Sequence, residues 1–232
     1  MMAVNVRQTP ISFQEVFMPV VTIRGPLGSG VAEIGREAAH LLSGSYVDKE
    51  IIEEISKLVG HPAKKVEERE YTPLSLRERI QSALEGSQKR SGSMESAFSR
   101  SIPEVLDDAS YLDALKSVIQ DITLEGNIVI HGRGSQFILR NNPSALHVLV
   151  VAPLPLRIKR VMEEHKVDEE IAAKQVEEYS KSRRDFIKRF FKKDMMDIIY
   201  YDLVVNTGNL SFELAAQIII KALQKKTPWE RG

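Results

Sequence analysis

The residues with the clearest chemistry are Gly25-Pro-Leu-Gly-Ser-Gly30, where Gly25 and Gly30 enclose four residues, Gly28 and Ser29 among them. The apolar run Pro19–Ile23 before them reads as a short buried strand. After them Ile34, Ala38, Leu41 and Leu42 keep helical spacing. A glycine turn between strand and helix lets successive backbone N–H groups face phosphate oxygens, and the helix N-terminus adds partial positive charge. Such loops usually continue with Lys and then Ser or Thr. Here those places hold Val31 and Ala32. The ammonium that reaches the terminal phosphates is missing, as is the hydroxyl that ligates magnesium. Phosphoryl transfer therefore requires another cation, because that chemistry rests on electrostatic stabilisation. Read alone, the loop fits a plain glycine turn equally well.

Candidate cations and one carboxylate lie further along the chain. Arg133 follows the apolar run Asn127–Ile130, at a strand end where open α/β sheets bind ligands. Its planar guanidinium suits a two-pronged grip on phosphate, or a structural pair with a helix carboxylate. Asp48 ends the brief strand Tyr46-Val47 and suits either a ligand role or the N-cap of a helix from Lys49 to Leu58. Arg157 and Arg160 are one turn apart on a helical segment and share a face. Arg183, Arg184, Lys188 and Arg189 crowd a later helix. Charge runs of this kind are commonly solvated faces, and Lys188 and Arg189 are read so. The five histidines show no metal-ligand spacing, and His131 and His147 are read as structural.

The elements that must position these residues follow from periodicity. Further strands are expected at His147–Ala152 and Asp202–Asn206. Helices are expected over Ile51–Val59, Tyr111–Ile122, Pro155–Glu164 and Leu210–Leu223, the last capped by Ser211. Asp168–Phe191 reads as a long charged helical region, continuous or broken. Short apolar strands alternating with helices imply an α/β fold with a doubly wound parallel sheet. The region from about 60 to 110 is polar and weakly periodic, with Ser91-Gly-Ser93 as a loop. It is expected to be a helical insert on one 232-residue domain, with a lid-like region at about 165–200 and residues 1–18 as an arm.

Lys plus Arg and Asp plus Glu both number 32, so the global charge gives no reason to expect nucleic acid or an acidic membrane surface as partner. Without cysteine the chain has no disulfide and no thiolate zinc site, which suits a reducing compartment. The first 18 residues lack a signal-peptide pattern, and no apolar stretch approaches membrane-spanning length. A cytoplasmic protein of small-molecule partners is the expectation.

Four segments in order resemble the cytidylate kinase-like family of P-loop proteins. They are Gly28-Ser-Gly30 with Glu33-Ile34; Tyr46-Val-Asp48-Lys-Glu-Ile-Ile52; Ile128–Ser135 followed by His147–Leu154 and Arg157; and Arg183–Phe191 with Tyr201–Thr207. They span most of residues 20 to 220. The resemblance implies a P-loop nucleoside-triphosphate-binding kinase fold with helical insert and lid. It also implies ATP- and Mg2+-dependent phosphoryl transfer to a nucleoside monophosphate, with CMP as the first acceptor expected. On this pattern Arg133 and Asp48 serve the acceptor phosphate, and Arg157 and Arg183 are lid cations on the transferring group. Gly25, Gly28, Ser29 and Gly30 hold donor phosphates, and Asn206 and Thr207 border the adenine. The chain departs from the pattern at Ala32, at Ser180 and at Gly134, where true cytidylate kinases carry Arg, Asp and Asp. The departures favour an alternative, a nucleotide-binding regulatory protein without turnover. On the kinase reading, Arg133→Ala is expected to reduce turnover with the fold intact.

Overall fold

The computed structural model describes residues 18–71 and 106–226. The expected N-terminal arm before residue 18 and the Ser91-Gly-Ser93 loop lie outside the described residues. Five strands form one parallel sheet: β1 (Val20–Arg24), β2 (Ser45–Val47), β3 (Ile128–His131), β4 (Ala145–Val151) and β5 (Leu203–Asn206), in the order β2-β3-β1-β4-β5. β1 is buried along its whole length and β4 along all but its last residue. Their near-continuous apolar sequences follow from helices covering both faces.

Helix α1 (Val31–Leu41) and the last helix, α8 (Phe212–Lys225), cover one face. Ile34, Ala38, Ala216 and Ile219 are fully buried there against Val21 and Val148. The opposite face carries α2 (Glu50–Val59), α3 (Ala63–Tyr71), α4 (Asp108–Thr123) and the short α5 (Ser135–Ile138). The C-terminal half of α7 (Glu169–Phe191) joins them. Its Phe186, Ile187 and Phe190 pack with Ile55, Tyr111 and Ile130. Helix α6 (Leu154–His165) and the start of α7 form a small core of their own around Val161, Ala172 and Val176, into which Leu27 of the glycine loop inserts.

Several expectations are corrected. The charged region Asp168–Phe191, whose pattern allows a break, is one continuous 23-residue helix, Glu169–Phe191, capped by the Asp168 carboxylate on the Ile171 N–H at 2.9 Å. Asp48 does not cap α2. The cap position is Lys49, without a side-chain bond, and the Asp48 N–H instead donates to Glu50 at 2.9 Å. The described start of the region expected as a helical insert, α3, packs on the core, with Val66, Arg69 and Glu70 buried. Ser211 caps α8 as expected, accepting from the Leu214 N–H at 3.2 Å.

Two strand polar groups satisfy each other. Thr22 and His147 are register partners on β1 and β4, and the Thr22 hydroxyl meets the His147 Nδ1 at 2.8 Å. The Asp202 carboxylate accepts the His147 backbone N–H and the Lys226 ammonium, both at 2.9 Å. His147 is structural, as its place within an apolar strand indicated.

Candidate active site

The C-terminal ends of β1, β2 and β3 open on a cleft of about 1010 Å³. Gly25, Gly28 and Gly30 line it, followed by Val31 and Ala32 at the start of α1. Gly30 is the N-cap of α1 with φ +82°, and a Cβ there would stand 2.2 Å from the Phe212 ring. Only glycine tolerates both the left-handed backbone and that approach. Ser29 lies beneath the loop, fully buried, its hydroxyl without a protein partner and its carbonyl accepting from the Thr207 hydroxyl at 2.9 Å. Thr207 is buried, and Asn206 is exposed with its Oδ1 accepting the Gly208 N–H at 2.9 Å.

Across the cleft stands Arg133, 8% exposed and in a left-handed backbone conformation at φ +50°. Its Nε–H donates to Glu70 at 2.9 Å, and its Nη1 donates to the Asp48 carboxylate at 2.7 Å and to the Asp48 carbonyl. The Glu70 side chain is wholly buried and takes two more donors, the Tyr111 hydroxyl at 2.9 Å and Arg183 Nη1 at 3.4 Å. One carboxylate thus ties α3, α4, α7 and the loop after β3 together. Next to Arg133, Gly134 has φ +72°, and a Cβ there would stand 2.3 Å from the Phe191 ring.

Asp48 is held on its other side by His131 Nδ1 at 3.4 Å, which in turn lies 2.8 Å from the Tyr46 hydroxyl. His131 is therefore a cleft residue, correcting the purely structural reading. Burial pushes the Asp48 carboxyl up, but hydrogen bonds and charge from His131 and Arg133 outweigh it and hold the carboxyl well below the usual range. Burial, then the Asp48 charge, raises the Tyr46 hydroxyl. Burial opposes the Arg133 charge, yet Glu70 and Asp48 push its pKa up.

The two arginines of α6 separate. Arg160 lines the cleft, donates to the Gly28 carbonyl at 3.2 Å and to the Thr207 hydroxyl and carbonyl at 3.0 and 2.9 Å, and lies 4.9 Å over the Phe212 ring. Arg157 stands beside the loop, its backbone against Gly28, and is not on the cleft wall. Its Nε and Nη1 are buried without a protein partner, and desolvation lowers its pKa. Arg183 reaches the wall from α7. Arg189 instead pairs with Asp108, its Nε at 2.8 Å, and fastens α7 to α4.

Sequence reasoning missed Glu70, Arg160's role as a bridge, and Arg24. Glu70 sits in the charged run Lys64-Lys-Val-Glu-Glu-Arg-Glu70, where nothing distinguishes it from its neighbours. Arg24 did leave a signal: a charge ending an otherwise apolar strand.

A glycine loop between β1 and α1, facing arginines across a cleft at the strands' C-terminal ends, defines a P-loop α/β protein of the kinase class. The chain belongs to the cytidylate kinase-like family, whose model matches residues 20–209. It is similar to a cytidylate kinase of Staphylothermus marinus, 29% identical over 90% of this chain and 98% of that protein. It is also similar to a cytidylate kinase of Sulfolobus acidocaldarius, 30% identical over 45% of this chain and 57% of that protein. Among solved structures, an uncharacterized protein from Eubacterium ventriosum shares the fold at TM-score 0.63, with 18% identity over 89% of this chain and 99% of that one. Among the described residues, no helix is long and apolar enough to cross a membrane.

Proposed function

We propose that the protein transfers the γ-phosphoryl group of ATP to a nucleoside monophosphate, with CMP the first acceptor to test. The observation that carries this reading is the opposition, across one cleft, of the glycine loop at the head of α1, bridged to Thr207 by Arg160, and the arginines Arg133 and Arg183. Similarity to cytidylate kinases supports the acceptor class.

On this reading the acceptor phosphate oxygen bonds to the γ-phosphorus as the bond to the β–γ bridging oxygen breaks, its electron pair leaving on ADP. The N–H groups of the loop from Gly25 to Gly30 hold the donor phosphates. Arg133, fixed by Glu70, presents its guanidinium to the acceptor phosphate, and Asp48 orients that guanidinium. Arg183 faces the same place from α7, and Arg160 secures the loop carrying Asn206 and Thr207, which we assign to the donor base. Arg157, with two nitrogens lacking a protein partner, is the cation that closure of the α6–α7 lid brings to the donor phosphates.

The residues fit a magnesium ion that arrives on the nucleotide. Ala32 would offer it no oxygen; Asp48, one of the carboxylates lining the cleft, would hold it through water. When bound, the ion neutralises phosphate charge.

The test is ATP consumption with magnesium against a panel of nucleoside monophosphates. Turnover above the ATP-only background with one of them establishes the activity and names the acceptor. Silence with every acceptor, in folded protein that binds ATP, leaves the nucleotide-binding regulatory reading that Val31 and Ala32 favour.

A further inference from the structure

Three arginines are buried among the described residues, and two have a carboxylate partner. Arg133 has Asp48 and Glu70, and Arg69 has Asp108 at 3.2 Å. Arg24 is the exception. It is 7% exposed, yet no carboxylate among the described residues comes within ion-pair distance of it. Its Nη1 reaches the Met195 carbonyl at 3.4 Å and its Nη2 reaches the Met195 thioether sulfur at 3.3 Å, and its charge is felt at the Tyr201 hydroxyl. Both acceptors are neutral, and the sulfur is a weak one. Tyr201 is already engaged, donating to the Met195 carbonyl at 2.6 Å and accepting from Gln136 at 3.1 Å. A buried cation without a counter-charge is costly.

Arg24 is also placed for an anion. It ends β1, directly precedes Gly25 and lines the cleft together with the loop, Arg133 and Gln136. The carboxylates on the same wall, Glu33 and Glu67 among them, form no ion pair with it. Its strand position is fixed by pairing on both sides: Arg24 is in register with Leu149 of β4, and Ile23 with His131 of β3. The guanidinium is therefore carried by the end of the central strand of the sheet.

We propose that Arg24 is the cation that replaces the lysine absent at Val31, its guanidinium binding the phosphate oxygens that face the glycine loop. This rests on the phosphoryl-transfer reading for its consequence in turnover, though not for anion binding itself. In the transfer, Arg24 neither gives nor takes a proton. It pairs with the oxygens of the transferring phosphoryl group while one phosphorus–oxygen bond forms to the acceptor and one breaks toward ADP.

The test uses the full chain with Arg24→Met, which removes the charge and keeps an unbranched side chain, Arg24→Gln, which removes the charge and keeps an N–H donor, and Arg24→Lys. Inorganic triphosphate is the binding probe, read as a thermal shift, and kcat and KM for ATP are read with the acceptor found active. The expected result is a triphosphate shift in wild type that the two neutral variants lose and the lysine variant keeps. With it, kcat of the neutral variants falls on the order of 100-fold and KM for ATP rises, and Arg24→Lys recovers much of both losses. A purely structural role lowers the melting temperature without abolishing the shift. If a folded neutral variant keeps the triphosphate shift and a kcat within about threefold of wild type, the proposal is overturned. Wild type that shows the shift but no turnover with any acceptor sinks the kinase reading and leaves the anion site standing. Turnover that is the same in wild type and the neutral variants does the reverse.

Discussion

Arg133 donates its Nε–H to Glu70 at 2.9 Å, joining the loop after β3 to helix α3 through an ion pair whose two side chains are 6% and 0% exposed. This pairing changes what mutation of the arginine means. The expectation that Arg133→Ala spares the fold does not survive it, because the truncation strands a carboxylate that no water reaches. Arg133→Ala is expected to cost about 3 kcal/mol in urea unfolding, since Tyr111 and Arg183 still bond Glu70. Arg133→Lys keeps a charge near Glu70 but loses the fork to Asp48. It should remain folded and show an acceptor KM raised on the order of tenfold with KM for ATP unchanged. An acceptor KM equal to wild type in Arg133→Lys removes the arginine from the acceptor site.

Asp48 gives a signed pH dependence. Its carboxyl is depressed in the folded protein despite burial, through His131 and Arg133. A depressed carboxyl contributes stability above its unfolded pKa of about 4 and loses it as pH falls through the folded value. The melting temperature of wild type should therefore drop more between about pH 5 and pH 2.5 than that of Asp48→Asn. Parallel curves for the two would show that the pair with Arg133 contributes nothing to stability.

His147 gives a pH dependence of the same sign in a higher window. Burial lowers its pKa to about 4, the nearby Asp202 charge opposing and Lys226 and Arg140 assisting. The unfolded chain takes up a proton near pH 6.5 while the folded chain does not, so stability falls as pH drops from about 6.5 to about 4. His147→Gln, which cannot titrate, should flatten that part of the stability–pH curve. Chemical denaturation at pH 7 and pH 4.5 is the measurement, and an unchanged slope would show that protonation of His147 is not the cause.

Gly30→Ala places a methyl group against the Phe212 ring at a positive-φ position. Nucleotide affinity should fall at least tenfold, and pairing it with Phe212→Ala should relieve the clash without relieving the backbone cost. A double variant that binds as wild type would show that the ring contact, not the backbone, sets the requirement.

What the sequence determined by itself was local or periodic. Strands buried on both faces must be apolar throughout, so β1, β3 and β4 were legible within two residues. The helices showed in their apolar stripes, and the glycine loop showed because strand, turn and helix are contiguous. Arg133 and Asp48 were legible as candidates because each closes an apolar run. Tertiary structure alone decided which residues meet. The order β2-β3-β1-β4-β5 sets β1 between strands more than a hundred residues later in sequence, and no local pattern encodes that pairing. Glu70 and Arg133 are 63 positions apart, and Glu70 stands in a run of like residues where helical periodicity of charge looks the same whether a face is wet or buried. The separation of Arg157 from Arg160 likewise depended on which side of α6 the glycine loop packs against. Arg24 combines the two: its type and place are plain in the sequence, but its want of a counter-charge follows only from what the folded chain brings, and fails to bring, within reach of it.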